Sequence, residues 1–214
     1  MNTLDELWAS ADSGLAYTRG YAQYVARLLE QVDCAAVVAI AVHLEEAWLD
    51  GRTIFIAGNG GSAATASHFA TDLAWGRGRL MGKRPQIISL AANVPMMTAA
   101  ANDVGYPHVF VEQMRGVFQP RDVLITISAS GNSDNLLQAI DYANEQQGVS
   151  IGLVGFDGGR MKGRCTLSLH VETKSGDYEP VEDAHHAICH MLASYVKRRI
   201  THRARATELS SMAS

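Results

Sequence analysis

Positive charge is not in excess in this chain: 18 Lys and Arg stand against 22 Asp and Glu, a formal net charge of −4. Neither nucleic acid nor an anionic membrane surface is therefore an expected partner. No run of about 18 apolar residues is present, so the sequence offers no transmembrane helix. The first residues, MNTLDELWASADSG, carry acids where a signal peptide needs a positive n-region and an apolar h-region. Cysteines number three (Cys34, Cys165 and Cys189), too few and too scattered for a disulfide framework. These absences leave a soluble, cytoplasmic, globular protein as the expectation. Its 214 residues, 47% apolar, suffice for one self-supporting core. Glycine is plentiful, at 19 residues against five prolines, and points to tight turns.

Residues 4–32 repeat apolar side chains at helical spacing (Tyr21, Tyr24, Val25, Leu28, Leu29), and a second helix is expected over 35–49, stopped by Gly51. The pattern then changes to short apolar runs bounded by glycine and followed by helices. Strands are expected over 53–57, 86–90, 123–127, 149–154 and 166–171, with helices over 63–75, 134–147 and 181–200. Continuous apolar strands separated by helices imply a parallel sheet covered on both faces. The expected fold is α/β: a doubly wound, parallel, five-stranded sheet with added N-terminal helices. Residues 1–200 are read as one domain, with N-terminal helices over 1–50 and an α/β core over 51–200. The small and polar tail, 201–214, is expected to be disordered.

Ligands of such a sheet bind beyond the carboxyl ends of the strands. Two of those ends carry the same chemistry. Gly58-Asn59-Gly60-Gly61-Ser62 follows the first strand and Ser128-Ala129-Ser130-Gly131-Asn132-Ser133 follows the third, each opening a helix. Glycine lets the backbone approach a ligand, and a helix N-terminus supplies unpaired N–H groups and a positive dipole end. Ser and Asn also cap helices, but one cap needs only one side chain, and here three serines share a loop. Neither loop is a Walker A or GxGxxG motif, which favours a phosphate on a small molecule over a nucleotide.

The helix after GNGGS carries His68 and Asp72 at i, i+4, on one face. The C-terminal helix carries Glu182, His185, His186 and His190, and His186 and His190 again stand at i, i+4. Imidazole and carboxylate together suit a borderline divalent ion such as zinc, or a general acid–base pair near neutral pH. His43, His108, His170 and His202 read as surface or capping residues, and Cys189 as core.

The segments AGNGGSAATASHFATDL (57–73), AANDVGY (100–106), ISASGNSDN (127–135), GFDGGRM (155–161) and VEDAHHAICH (181–190) resemble the sugar isomerase (SIS) domain proteins. Within them the chain is similar to the phosphoheptose isomerases, over nearly all of residues 4–200. The resemblance implies a flavodoxin-like SIS fold and aldose–ketose isomerisation of sedoheptulose 7-phosphate to D-glycero-D-manno-heptose 7-phosphate. It implies that Asn59, Gly60, Gly61 and Ser62 contact the sugar phosphate, that Asn102 and Asp103 reach its hydroxyls, and that Ser128, Ala129, Ser130 and Ser133 cradle the phosphate. Zinc ligands would fall on His68, Asp72, Glu182 and His190, with Glu182 also beside substrate, and the acid–base pair on Asp72 and His190. The family implies a homotetramer with sites between subunits.

Three positions depart from the family's common residues. Asp72 stands where glutamate is frequent, one methylene shorter, and a misplacement of about 1 Å can cost roughly a hundredfold in rate. Glu182 stands where glutamine is frequent, and Ala129 replaces a hydroxyl residue. Two other readings therefore stay open. One is a non-catalytic phosphosugar-binding or assembly module, of the type that associates with a replication initiator. The other is an isomerase of another sugar phosphate.

Overall fold

The computed structural model describes residues 1–75 and 85–212. The five expected strands form as β1 (Ile54–Gly58), β2 (Ile87–Ser89), β3 (Val123–Ser128), β4 (Val149–Val154) and β5 (Leu167–His170). They pair in parallel in the order β2-β1-β3-β4-β5. Every residue of β1 and β3 is buried, and the two-residue period of a strand divides their side chains between two cores. Ile54, Ile56, Ile125 and Ile127 join one core; Phe55, Ala57 and Leu124 join the other.

Helices α2 (Gly14–Glu30), α3 (Cys34–Leu49), α4 (Gly61–Ala74) and α8 (Tyr178–Met212) cover the first face, supplying Leu28, Leu44, Phe69 and Leu192. On the second face lie α5 (Val94–Asp103), α6 (Val111–Met114) and α7 (Asp134–Glu145), supplying Ala100, Met114 and Ile140. The strand order reverses between β1 and β3, so both Gly/Ser loops open at that switch point.

Residues 4–32 hold two helices rather than a continuous pattern. After α1 (Thr3–Ser10) the chain breaks, and Ser13 starts α2 by accepting the Ala16 N–H at 3.2 Å. Buried Asp177 fastens this N-terminal pair to the start of α8. Its carboxylate accepts the Thr3 and Leu4 N–H groups at 2.9 and 3.2 Å and the Tyr24 hydroxyl at 3.0 Å. Among the described residues no helix is long and apolar enough to cross a membrane.

The disordered tail expected over 201–214 is corrected by the structure: α8 continues unbroken from Tyr178 to Met212, and residues 213–214 lie outside the described residues. The stretch holds neither glycine nor proline, and its Arg and Ala residues are strong helix formers. A tertiary anchor adds to this propensity. Glu45 of α3, only 2% exposed, pairs with Arg199 and, at 2.9 Å, with Arg203. Glu45→Gln is expected to leave the sheet intact and speed amide exchange over residues 201–212 about tenfold, ~1.4 kcal/mol of local opening. Unchanged protection there in hydrogen–deuterium exchange would refute the anchor.

His185, which the sequence groups with the other histidines of its helix, is instead wholly buried on the core side of α8. Neither ring nitrogen has a partner in hydrogen-bonding geometry. Burial lowers its pKa from 6.5 to about 4, the Val154 backbone offsetting only part of the shift. Between those values the unfolded chain binds a proton that the folded chain refuses. Stability is therefore unpenalised above the unfolded value and falls as pH drops towards the folded one. His185→Leu should lessen the stability lost between pH 7.5 and pH 5 by about 2 kcal/mol in urea unfolding. An unchanged pH slope would show that His185 does not carry the effect.

Candidate active site

Both Gly/Ser loops end at helices that lack a side-chain cap. Gly60, at φ +53°, precedes α4, and Ser133 precedes α7 without bonding its backbone. Capping is thus not what these residues do, and the first N–H groups of two helices are left for a ligand. Ser128 and Ser130 hold their own loop, accepting the Gly131 and Asn132 N–H groups at 3.0 and 3.3 Å. A reciprocal amide pair ties the loops together: Asn59 Nδ2 donates to Asn135 at 3.0 Å, and Asn135 Nδ2 donates to Asn59 at 2.8 Å. The Tyr106 hydroxyl donates to Asn59 at 3.0 Å.

Between the loops lies a pocket of about 180 Å³ lined by Asn59, Ser62, Ile127, Ser128, Ala129, Ser130, Ser133, Tyr178 and Glu182. Among the described residues no Lys or Arg lines it. Its donors are hydroxyls, amides and helix ends. Among the described lining residues the one formal charge belongs to Glu182, whose carboxyl is pushed above its usual range by burial and then by the charges of Glu179 and Asp183.

The second part of the site arises where α4 and α8 run side by side, in register turn for turn. Glu182 lies against Gly61, where any Cβ would collide with the carboxylate. One turn on, His186 Nδ1 stands 3.5 Å from Thr65 Oγ1. A further turn brings His190 to His68 and Asp72. The two Nε2 atoms are 3.0 Å apart, and Asp72 Oδ2 lies 3.2 Å from His68 and 3.4 Å from His190. His186 stacks near both histidines, with ring centroids at 4.7 Å from each. Burial first, then the charges of His190 and His68, hold its pKa below the usual value.

These atoms suit a small divalent ion. Tetrahedral bonds of about 2.0–2.1 Å set ligand atoms roughly 3.3 Å apart, close to the spacings among His68, Asp72 and His190. Nitrogen and carboxylate oxygen are also the donor types zinc takes.

Residues 20–155 match the SIS domain family. The chain belongs to the SIS domain family. The phosphoheptose isomerase of Pelodictyon phaeoclathratiforme is 37% identical over 182 residues, covering 83% of this chain and 85% of the relative. That of Helicobacter pylori is 39% identical over 164 residues, covering 76% and 84%. The solved phosphoheptose isomerase GmhA from Neisseria gonorrhoeae is 28% identical, covers 92% of this chain and 100% of its own, and superposes with a TM-score of 0.76.

On this SIS framework the expected site residues divide into groups. His68, Asp72 and His190 converge. Asn59, Ser62, Ser128, Ala129, Ser130 and Ser133 line the cradle, with Gly60 and Gly61 at the entry to α4. Glu182 lies with the serine loops, against Gly61, rather than beside the His68–Asp72–His190 contacts. Asn102 and Asp103 are exposed at the end of α5, bonded to each other at 2.9 Å, and are not among the cradle residues. Sequence reasoning gave Asn135, Tyr106 and Tyr178 no role and named His186 among the candidate imidazoles without placing it in the site that the resemblance implies. The first two sit inside the quoted ISASGNSDN and AANDVGY segments, and His186 was visible as the partner of His190 at i, i+4.

A carboxylate in a cradle for an anion makes binding fall as pH rises through the raised pKa of Glu182. Glu182→Gln removes that charge and should tighten inorganic phosphate about fivefold at pH 7, ~1 kcal/mol in a partly solvated site. Calorimetric titration reads the change, and weaker binding in the variant would contradict the electrostatic account.

Proposed function

We propose that this protein interconverts sedoheptulose 7-phosphate and D-glycero-D-manno-heptose 7-phosphate, the reaction that its resemblance to the phosphoheptose isomerases implies, by proton transfer through an enediol. The observation that carries this reading is the juxtaposition of the Asp72–His68–His190 contacts with a cradle built on two uncapped helix ends. The cradle holds the phosphate through neutral donors and helix dipoles, and that remote binding energy keeps the reacting end of the sugar in place. Asp72 and His190 take the proton from the carbon alpha to the carbonyl and return a proton to the neighbouring carbon, while the hydroxyl proton passes between the two oxygens. A zinc ion, for which His68, Asp72 and His190 offer donor atoms, would supply Lewis acidity towards the carbonyl oxygen.

Asn102 and Asp103 stand exposed outside their own chain's cradle, in keeping with a homotetramer in which neighbouring chains complete each site. A cytoplasmic setting suits such a biosynthetic step.

Incubation of the purified protein with sedoheptulose 7-phosphate, followed by NMR of the sugar, tests the reading. Conversion is expected, lost with chelator and regained with zinc, and His190→Ala should reduce it by at least about a thousandfold, the scale of a lost acid–base group. No conversion of any ketose phosphate would favour a non-catalytic binding module; conversion of a hexose or pentose phosphate alone would move the substrate assignment.

A further inference from the structure

The serines of the cradle and the alanine between them do different work. Ser128 and Ser130 accept N–H groups of their own loop through Oγ, which leaves each hydroxyl proton for a ligand. Ala129 offers no such donor. It is buried, and it packs with Phe156, just after β4, and Val181, in the first turn of α8, as a small apolar cluster of its own. Against that cluster stands Tyr178, the first residue of α8. Its ring meets Phe156 edge-on, with centroids 4.9 Å apart and planes at 78°. Tyr178 is nonetheless 50% exposed, and together with Glu182, one turn on at i+4, it lines the cradle.

We propose that Tyr178 is a binding residue of the cradle, its phenol O–H donating to the phosphate of the ligand beside Ala129, and that Phe156 is the residue that positions it. The assignment rests on the phosphate-cradle part of the proposed function and not on the histidine end.

The surroundings hold Phe156 for this task. Its backbone lies in the left-handed region at φ +45°, unusual for a bulky side chain, and such a conformation persists only where neighbours fix it. Two donors fix its carbonyl, the Thr173 N–H at 3.3 Å and His170 Nε2 at 2.9 Å. A carbonyl only accepts, so Nε2 carries the proton, and in the neutral ring Nδ1 accepts from Lys162 Nζ at 3.1 Å. The Gly155 N–H donates to the Ser128 carbonyl at 3.2 Å, which ties the same turn to the cradle loop. Tyr178 thus has one apolar side seated on Phe156 and a polar tip left to the solvent-open rim, the division a tyrosine serves best at a binding surface. The phenol is a neutral donor like the serine hydroxyls, and it stands on the helix face from which Glu182 repels an anion.

Calorimetric titration with inorganic phosphate at pH 7 tests the assignment, with circular dichroism as the check on folding. Tyr178→Phe keeps the ring and its contact with Phe156 but removes the donor. It should weaken phosphate about tenfold, the low end for a hydrogen bond to a charged group. Phe156→Leu keeps apolar contact with Ala129 and Val181 but removes the ring edge. It should weaken phosphate about threefold, and Tyr178→Phe in that background should cost no more than about threefold further. In turnover, Tyr178→Phe should raise KM for sedoheptulose 7-phosphate by about tenfold with a smaller change in kcat. Phosphate affinity in Tyr178→Phe equal to that of the parent would overturn the donor. So would a loss seen with sedoheptulose 7-phosphate and absent with inorganic phosphate. A full tenfold loss in both backgrounds would overturn the positioning by Phe156. Failure of the parent to bind phosphate would remove the cradle and the assignment with it. Phosphate binding without turnover in the parent would end the isomerase reading, while the tenfold loss in Tyr178→Phe would still support the assignment.

Discussion

The site depends on one close approach, between the first turn of α4 and the second turn of α8. Gly61 has no side chain, and the Glu182 carboxylate occupies the space a Cβ would need. With the helices at that distance and aligned turn for turn, each residue of one face meets its counterpart: Gly61 with Glu182, Thr65 with His186, His68 and Asp72 with His190. The approach is held from outside the site. β1 fixes the origin of α4, buried Asp177 binds the start of α8 to the N-terminal helices, and Glu45 grips α8 through Arg199 and Arg203. Apolar packing of Phe69 and Leu73 with Ile188 and Leu192 fills the core between these anchors.

The cradle follows from the same sheet by a different route. A parallel sheet whose strand order reverses leaves a crevice between β1 and β3, and both loops there lead into helices without side-chain caps. The Asn59–Asn135 pair joins the two loops, so that a ligand engaging either one meets a single rigid rim. The SIS architecture therefore sets the crevice end of the candidate site by backbone geometry, and the α4–α8 seam sets the histidine end by side chains.

The strands were legible in the sequence because residues buried on two faces leave unbroken apolar runs such as Ile54-Phe55-Ile56 and Leu124-Ile125. Helices α5 and α6 were not. Their segment, VPMMTAAANDVGYPHVFVEQM, mixes small, apolar and proline residues with little periodic contrast, and only Ala100 of α5 is buried. The length of α8 depended on a buried partner in α3 that no local pattern reveals. Within the site, i, i+4 spacing correctly set Glu182, His186 and His190 on one helix face, but it says nothing about what each turn meets. Successive turns are about 5.4 Å apart along the axis. That step separates the cradle from the histidine cluster, and it carries Glu182 to one and His190 to the other.

Among the described residues the cradle lining has no basic side chain. Lysine and arginine grip an anion through charge, a hold that dissolved ions weaken. Hydroxyls and helix termini instead select for tetrahedral shape and number of oxygen acceptors, with shallow dependence on ionic strength. In the proposed isomerisation, where reactant and product would carry the same phosphate, such a grip would serve both directions equally, and the product would leave without a strong ion pair to break.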